Sequence, residues 1–165
     1  MKRLLITTLL FSGMTTFPSF ANGVLSEKNL SLALAEQLAQ HAIQSCVAKN
    51  VNVAVTIVDR AGVVKLAKRM DNAGPHTLEA SRMKAFTSLT TKAPTENVMK
   101  NAQANAEAQN LRDIPGFLLL AGGVPVKVGD QTIGAIGIGG APSGSIDQQC
   151  ALDAIEAVKA QLSAK

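Results

Sequence analysis

The chain has 165 residues, a formal net charge of +4, and neither Trp nor Tyr. Its basic runs are no longer than pairs such as Lys68-Arg69, and it has no Trp or Tyr to stack on bases, so the composition gives no support to nucleic-acid binding. A chain of this length is expected to form one domain with a hydrophobic core of its own.

The first 21 residues have the three parts of a secretory signal peptide. Lys2 and Arg3 precede an apolar run over 4–14, and Ser19-Phe20-Ala21 places small residues at the −3 and −1 positions. The run is too short to cross a bilayer, although a retained membrane anchor is the alternative. We therefore expect cleavage after Ala21, which leaves residues 22–165 as a single periplasmic or secreted domain without a membrane span.

Only two cysteines are present, Cys46 and Cys150. Each falls on a predicted helix, and both helices are expected to cover the same core, so a disulfide is the favoured prediction in an exported chain. Such a bridge would close about a hundred residues and stabilise the fold by up to roughly 4–5 kcal/mol in the chain-entropy model. Two buried thiols are the alternative. Neither residue has the spacing of a metal or redox motif.

The N-terminal half of the mature chain predicts a helix followed by a β-hairpin. Apolar residues recur at helical spacing from Ser26 to Ala48, and Lys49-Asn50 ends that pattern. Residues 51–59 alternate with period two and predict a strand. The chain then turns at 60–62 and returns along a second strand at 63–70.

Two helices are predicted next, separated by a proline. Residues 76–93 predict a helix with Thr77 as its N-cap and Glu79 in its first turn, and Pro94 ends it. A more polar helix follows over 95–111. The segment 113–117 contains Pro115 and Gly116 and is expected to break regular structure.

The C-terminal part predicts three strands and a final helix. The strands cover 117–123, 124–128 and 131–140, and Gly129-Asp130 between the last two has the sequence of a type II′ turn. The helix is expected to begin at Asp147 as N-cap. Hairpins dominate this order, so the fold class is α+β with a five-stranded, mostly antiparallel sheet.

The glycine-rich stretch 129–144 invites comparison with nucleotide-binding loops, and the comparison fails. A dinucleotide fingerprint needs a third glycine where Pro142 stands, and Gly134 and Gly137 lie inside a predicted strand rather than after it. The lysine of a phosphate-binding loop is also absent. Glycines inside a strand indicate instead the close approach of another backbone or of a flat ligand.

Four ordered segments resemble the GlcG/HbpS-like family (DUF336). They are 53–62, 69–95, 113–126 and 133–151, and together they extend over essentially the whole mature chain. The sequence is most similar to the exported haem-binding branch of that family. The resemblance implies a profilin-like α/β/α fold, a homo-oligomer, and binding of haem or a related tetrapyrrole.

The candidate haem ligands follow from the residue types that hold haem iron, which include His and Met. His76, before the second helix, and His41, at the edge of the first helix's apolar arc, are the two histidines. Arg69 could pair with a propionate and Met70 could supply a thioether. The resemblance also suggests Thr87 as a haem contact.

Each of these residues has a plainer alternative. His41 would then be a hydrogen-bonded residue at the core edge, and His76 a solvated loop residue. Arg82 and Lys84 are expected on a solvated, charged helix face. No other residue pattern points to a metal.

The function predicted is haem storage, scavenging or sensing outside the cytoplasm. Alternatives are the binding of another small metabolite on the same scaffold, a weak haem-dependent redox activity, or an assembly module. Recognisable catalytic motifs such as Ser-His-Asp, HExxH or paired carboxylates are absent, so we make no assignment of a catalytic residue. Ala-rich helices and a nearly neutral mature chain favour self-association.

Overall fold

The computed structural model describes residues 23–163, so the predicted signal peptide lies outside the described residues. Within that range, no helix combines the length and the hydropathy that a membrane span requires. The helices are α1 Leu32–Ala48, α2 Thr77–Thr91, α3 Thr95–Ala104, α4 Gly144–Ala157 and α5 Lys159–Leu162, with a 3-10 helix at Ala106–Asp113. The strands are β1 Ala54–Asp59, β2 Val64–Arg69, β3 Gly123–Val128 and β4 Gln131–Gly139.

The strands form one antiparallel sheet in the order β2-β1-β4-β3. Gly129-Asp130 joins β3 to β4 as a two-residue turn. Gly129 has a positive φ of +57°, whereas the φ of Asp130 is not positive. That combination fits the predicted type II′ turn. The α+β class and the antiparallel pairing are therefore confirmed.

Helices cover both faces of the sheet. One face presents Val55, Ile57, Ile136 and Ile138 to a core that also holds the buried sides of α1 and α4. The other face packs against α2. This gives three layers, with α1 and α4 on one side of the sheet and α2 on the other.

The glycines of β4 allow α2 to approach the sheet closely. A Cβ atom on Gly137 would lie 2.0 Å from the carbonyl oxygen of Ser81 and 2.5 Å from the backbone nitrogen of Ala85, both in α2. Such distances are shorter than any van der Waals contact, so no other residue fits there without displacing the helix. The expectation of a close approach at these glycines is confirmed, and the approaching group is another backbone.

A disulfide joins the two helices of the opposite layer. Cys46 of α1 and Cys150 of α4 are bonded, with Cα atoms 5.6 Å apart and a sequence separation of 104. Both residues are fully buried. The predicted pairing is present in the structure.

The expected fifth strand, over 117–123, is absent. The segment is irregular up to Gly122, where a φ of +126° turns the chain into β3. Its apolar residues serve other contacts: Phe117 is buried and stacks edge-to-face on Phe86, with ring centroids 6.1 Å apart. The prediction was wrong because an apolar run of this length does not distinguish a strand from a buried loop.

Several helix boundaries also differ from prediction. Helix α1 begins at Leu32 and not at Ser26, because Ser31 caps it by accepting a hydrogen bond from the backbone N–H of Leu34. The helix predicted over 95–111 ends at Ala104, because extended Asn105 interrupts it and starts the 3-10 turn with its side chain. Helix α4, which was predicted to begin after Asp147, begins at Gly144, so Asp147 lies in its first turn instead of capping it. In α2, His76 occupies the N-cap position and Thr77 is the first helical residue.

Candidate functional site

Three of the predicted ligand residues lie where β2 ends and α2 begins. The Arg69 guanidinium donates a hydrogen bond to the carbonyl of Ala73 in the connecting loop. The sulfur of Met70 accepts a hydrogen bond from the backbone N–H of Val53 at 3.3 Å. Both side chains therefore tie the loop to the sheet, and the half-buried thioether is already engaged within the protein.

His76 is exposed at the start of α2. Its carbonyl accepts the helical hydrogen bond from Ala80, and its ring lies so close to Gly74 that a Cβ there would be 2.9 Å from Cε1. Thr77 Oγ1 donates to the Gly74 carbonyl at 2.7 Å and closes the turn. Within residues 23–163, the ring nitrogens of His76 form no hydrogen bond. The His76 imidazole is therefore accessible, and hydrogen bonds fix the turn that carries it.

The two histidines are not brought together. His41 is half-buried on α1, on the face of the sheet opposite to α2. Among the described residues, no group of three or more His, Cys, Asp or Glu side chains is placed to hold a metal ion. Within one chain, the two histidines therefore lie at separate places in the fold and do not form one metal site.

Thr87 is fully buried in α2. Its Oγ1 accepts a hydrogen bond from the backbone N–H of Leu118 at 2.8 Å and so holds the irregular segment before β3. A ligand could reach this hydroxyl only if that segment moved. The proposed haem contact of Thr87 stays a prediction, and the structure gives the residue a clear packing role.

The structure also holds a buried ion pair that the sequence analysis missed. Lys84 was expected on a solvated face, yet it is only 2% exposed, and its Nζ donates to Asp147 Oδ2 at 2.8 Å and to the Ile138 carbonyl at 2.9 Å. Asp147 Oδ1 accepts from the backbone N–H of Ala141 at 3.1 Å. Burial raises the pKa of Asp147 above its ordinary value, while the Lys84 ammonium and the backbone amides oppose that rise.

A cavity lies at the end of the sheet opposite to His76. It has a volume of about 470 Å³ and is lined by the β1–β2 turn, the second half of α2 and the β3–β4 turn. None of the five predicted ligand residues lines this cavity or the two smaller ones. The lining residues are Arg60, Ala61, Gly62, Phe86, Leu89, Thr90, Lys92, Asp130, Gln131 and Thr132.

Comparison with known proteins places the chain in a family. Residues 30–156 match the family model described as haem-degrading protein HbpS-like. This chain belongs to the HbpS-like family. The match spans every strand and the two helices joined by the disulfide, and it confirms the family that the four sequence segments suggested.

Solved structures agree with this assignment. A double mutant of HbpS from Streptomyces reticuli is 33% identical, with 88% of this chain and 98% of that chain covered and a TM-score of 0.79. The Klebsiella pneumoniae protein ORFY is 30% identical, with 84% and 99% covered and a TM-score of 0.78. A PduOC:heme complex is 27% identical, with 78% and 94% covered and a TM-score of 0.71.

Proposed function

We propose that this HbpS-like protein binds haem after export from the cytoplasm and stores, scavenges or senses it there. The observation that carries the proposal is the family membership, together with a structural relative that was solved as a haem complex. The buried disulfide supports export, because disulfides persist mainly in oxidising compartments.

In this proposal His76 would bind the haem iron and Arg69 would hold a propionate. An exposed imidazole at a fixed turn is a normal haem ligand, and a guanidinium at the end of the adjacent strand supplies the charge that a carboxylate needs. The residue types therefore fit haem. When bound, the haem would supply the iron chemistry, while the chain would orient the ring and exclude water from one side.

The enclosure around His76 is incomplete in one chain. His76 is exposed, and neither histidine lines the cavity at the far end of the sheet or the two smaller ones, so we expect the walls of the porphyrin site to come in part from another subunit. We propose that a second copy of the chain covers the site in a homo-oligomer. Light scattering should then give a mass well above that of one chain, and a monomer at micromolar concentration would count against the shared site.

A haemin titration followed by Soret absorbance tests the ligand assignment. The parent protein should saturate, and His76→Ala should shift or abolish the band, whereas Lys100→Ala on α3 should leave it unchanged. His41→Ala separates the two histidines. If both histidine variants bind as the parent does, histidine ligation is wrong. If the parent does not saturate, another small metabolite becomes the ligand to seek.

Haem degradation is the second candidate, because the description of the family names that activity. Incubating the haem complex with ascorbate in air separates the two functions. Storage or sensing predicts that the Soret band persists, whereas degradation predicts its loss at a rate well above that of free haemin.

Export is tested at the N-terminus. Edman sequencing or intact mass of protein recovered from the periplasm should give a chain that begins at Asn22. A mature chain that retains Met1 would contradict the predicted cleavage after Ala21.

A further inference from the structure

The segment before α1 carries a modification motif that haem binding does not use. Among the asparagines of the chain, only Asn29 is followed two positions later by Ser or Thr, in the order Asn29-Leu30-Ser31. An asparagine in this order is an acceptor of N-linked glycans when the middle residue is not proline. Glu27 places a carboxylate two residues before Asn29, where bacterial oligosaccharyltransferases recognise an acidic side chain. The sequence therefore contains one complete acceptor motif.

The motif lies on an accessible part of the fold. Residues 23–29 are exposed and belong to neither a helix nor a strand. Leu30 is the first buried residue, and its backbone N–H donates to the carbonyl of Ile133 at 3.2 Å. Glycosylated asparagines lie on surface loops of exported proteins, and Asn29 meets that condition.

The amide nitrogen of Asn29 is free to carry a substituent. Its Oδ1 accepts hydrogen bonds from the backbone N–H of Leu30 at 2.8 Å and from that of Arg60 at 3.0 Å. Two N–H donors can face only the oxygen of an amide, so these contacts fix which atom is Nδ2. Within residues 23–163, Nδ2 forms no hydrogen bond. A sugar attached to Nδ2 therefore costs the fold none of its bonds.

The surroundings of Asn29 also leave room for a sugar. A cavity of about 290 Å³ adjoins this residue, between the start of α1 and the end of the chain. Lys28 and Gln161 supply polar groups to its lining. Its apolar lining comes from Leu34, Val128, Ile133 and Leu162. The first sugar of a glycan fits over this cavity without displacing a helix or a strand.

We infer that Asn29 is an acceptor of N-linked glycosylation outside the cytoplasm. The donor is an oligosaccharide carried on a polyprenyl diphosphate. Asn29 Nδ2 forms a bond to C1 of the first sugar, the bond between C1 and the diphosphate oxygen breaks, and a base of the enzyme takes one amide proton. The polyprenyl diphosphate leaves, and no oxidant or reductant is needed. This inference rests on the export in the proposed function and not on haem binding.

The test expresses the full chain in a bacterium that has a periplasmic oligosaccharyltransferase and its lipid-linked oligosaccharide. Intact mass and peptide mapping of the periplasmic protein should show one glycan, on the peptide that contains Asn29. Asn29→Gln should abolish it, whereas Asn101→Gln, at an exposed position of α3, should leave it in place. Periplasmic protein without a glycan would overturn the inference.

Ser31 needs a matched control because it also caps α1. Its Oγ accepts from the backbone N–H of Leu34 at 3.2 Å, so Ser31→Ala would remove the cap together with the motif. Ser31→Asp keeps a good cap but lacks the hydroxyl of the motif, so the glycan should be lost while the melting temperature is retained. Ser31→Thr should keep both. A glycan on Ser31→Asp equal to that on the parent would contradict recognition of the motif.

The stability of the modified protein provides a second measurement. Because Nδ2 has no hydrogen bond to lose, the glycosylated protein should melt at the same temperature as the unmodified protein or at a higher one. A lower melting temperature would mean that the glycan breaks the contacts of Asn29 with Leu30 and Arg60, and it would count against this residue as a natural acceptor.

A second version of the chain separates this inference from the proposed export. In it, a signal peptide of proven function replaces residues 1–21. A glycan on this version alone would refute the predicted signal peptide and support Asn29 as the acceptor. If both versions reach the periplasm and neither carries a glycan, export stands and the glycosylation site is wrong.

Discussion

The ion pair between Lys84 and Asp147 offers the sharpest test of how this fold is held together. Asp147→Asn keeps the shape of the side chain but leaves the Lys84 ammonium buried without a counter-charge. The ammonium is 2% exposed, and the single oxygen of the new amide can accept from Lys84 or from the Ala141 N–H, but it cannot serve both as the two carboxylate oxygens do. Breaking a buried pair in this way costs about 3–5 kcal/mol.

The expected loss is large for a domain of this size. About 3 kcal/mol corresponds to a fall in melting temperature of roughly 10 °C, measured by circular dichroism or calorimetry. The urea midpoint should fall while the m-value stays constant, because the unfolded state is unchanged.

A double variant supplies the control. Lys84→Met with Asp147→Leu removes both charges together, so it should recover most of the stability that the single variant loses. The raised pKa of Asp147 agrees with this expectation, since burial already works against its charged form. A loss below 1 kcal/mol in Asp147→Asn, or a double variant as unstable as the sum of the single ones, would refute the reasoning.

Three other predictions concern packing, the disulfide and pH. Gly137→Ala should prevent folding or cost more than about 3 kcal/mol, whereas Gly139→Ala, whose Cβ would lie 3.3 Å from its nearest neighbour, should cost about 1 kcal/mol by thermal unfolding. Denatured, unreduced protein should show almost no free thiol, and reduction should lower the free energy of unfolding by about 3–5 kcal/mol. Hydrogen bonds from Ser45, Lys49 and Gln149 lower the pKa of Asp153 to about 2. Since its side chain is 39% exposed, we expect Asp153 to add only about 1 kcal/mol to the free energy of unfolding above pH 5. That contribution should disappear as the pH falls from about 4 to 2, and Asp153→Asn should flatten this part of the stability curve; an unchanged slope would contradict it.

The sequence predicted the elements whose burial is apolar and periodic. Helix α1 and strand β1 bury Leu, Ala, Val and Ile at the spacing that their geometry requires, and β2 follows from the turn that joins it to β1. The Gly129-Asp130 turn follows from local backbone chemistry. The observed ends of these elements differ from the predicted ones by a few residues, because helix and strand ends depend on contacts with other elements.

The buried face of α2 could not be predicted in this way. It consists of Thr77, Ser81, Lys84, Ala85, Thr87 and Ser88, which are mostly polar. These side chains are buried because the glycines of β4 bring the helix backbone close to the sheet, where only small or specifically paired groups fit. A signal existed: the polar residues recur at helical spacing opposite a strand rich in glycine.

The candidate sites were predictable to different degrees. His76, Arg69 and Met70 are neighbours in sequence, so their proximity follows from one loop. The cavity combines Arg60, Lys92 and Thr132 from three segments of the chain. No spacing rule places these segments together, because their proximity depends on the strand order of the sheet and on where α2 ends.

Helix α2 carries the proposed haem ligand, since His76 occupies its N-cap position. Its position depends on the fit against Gly137 and on the ion pair to Asp147. Asp147→Asn should therefore weaken the binding of haemin in the folded protein, measured below its melting temperature. The double variant Lys84→Met with Asp147→Leu should recover that binding if apolar packing restores the position of the helix. Recovery of stability without recovery of binding would mean that the ion pair fixes the orientation of α2, and not only its attachment to the sheet.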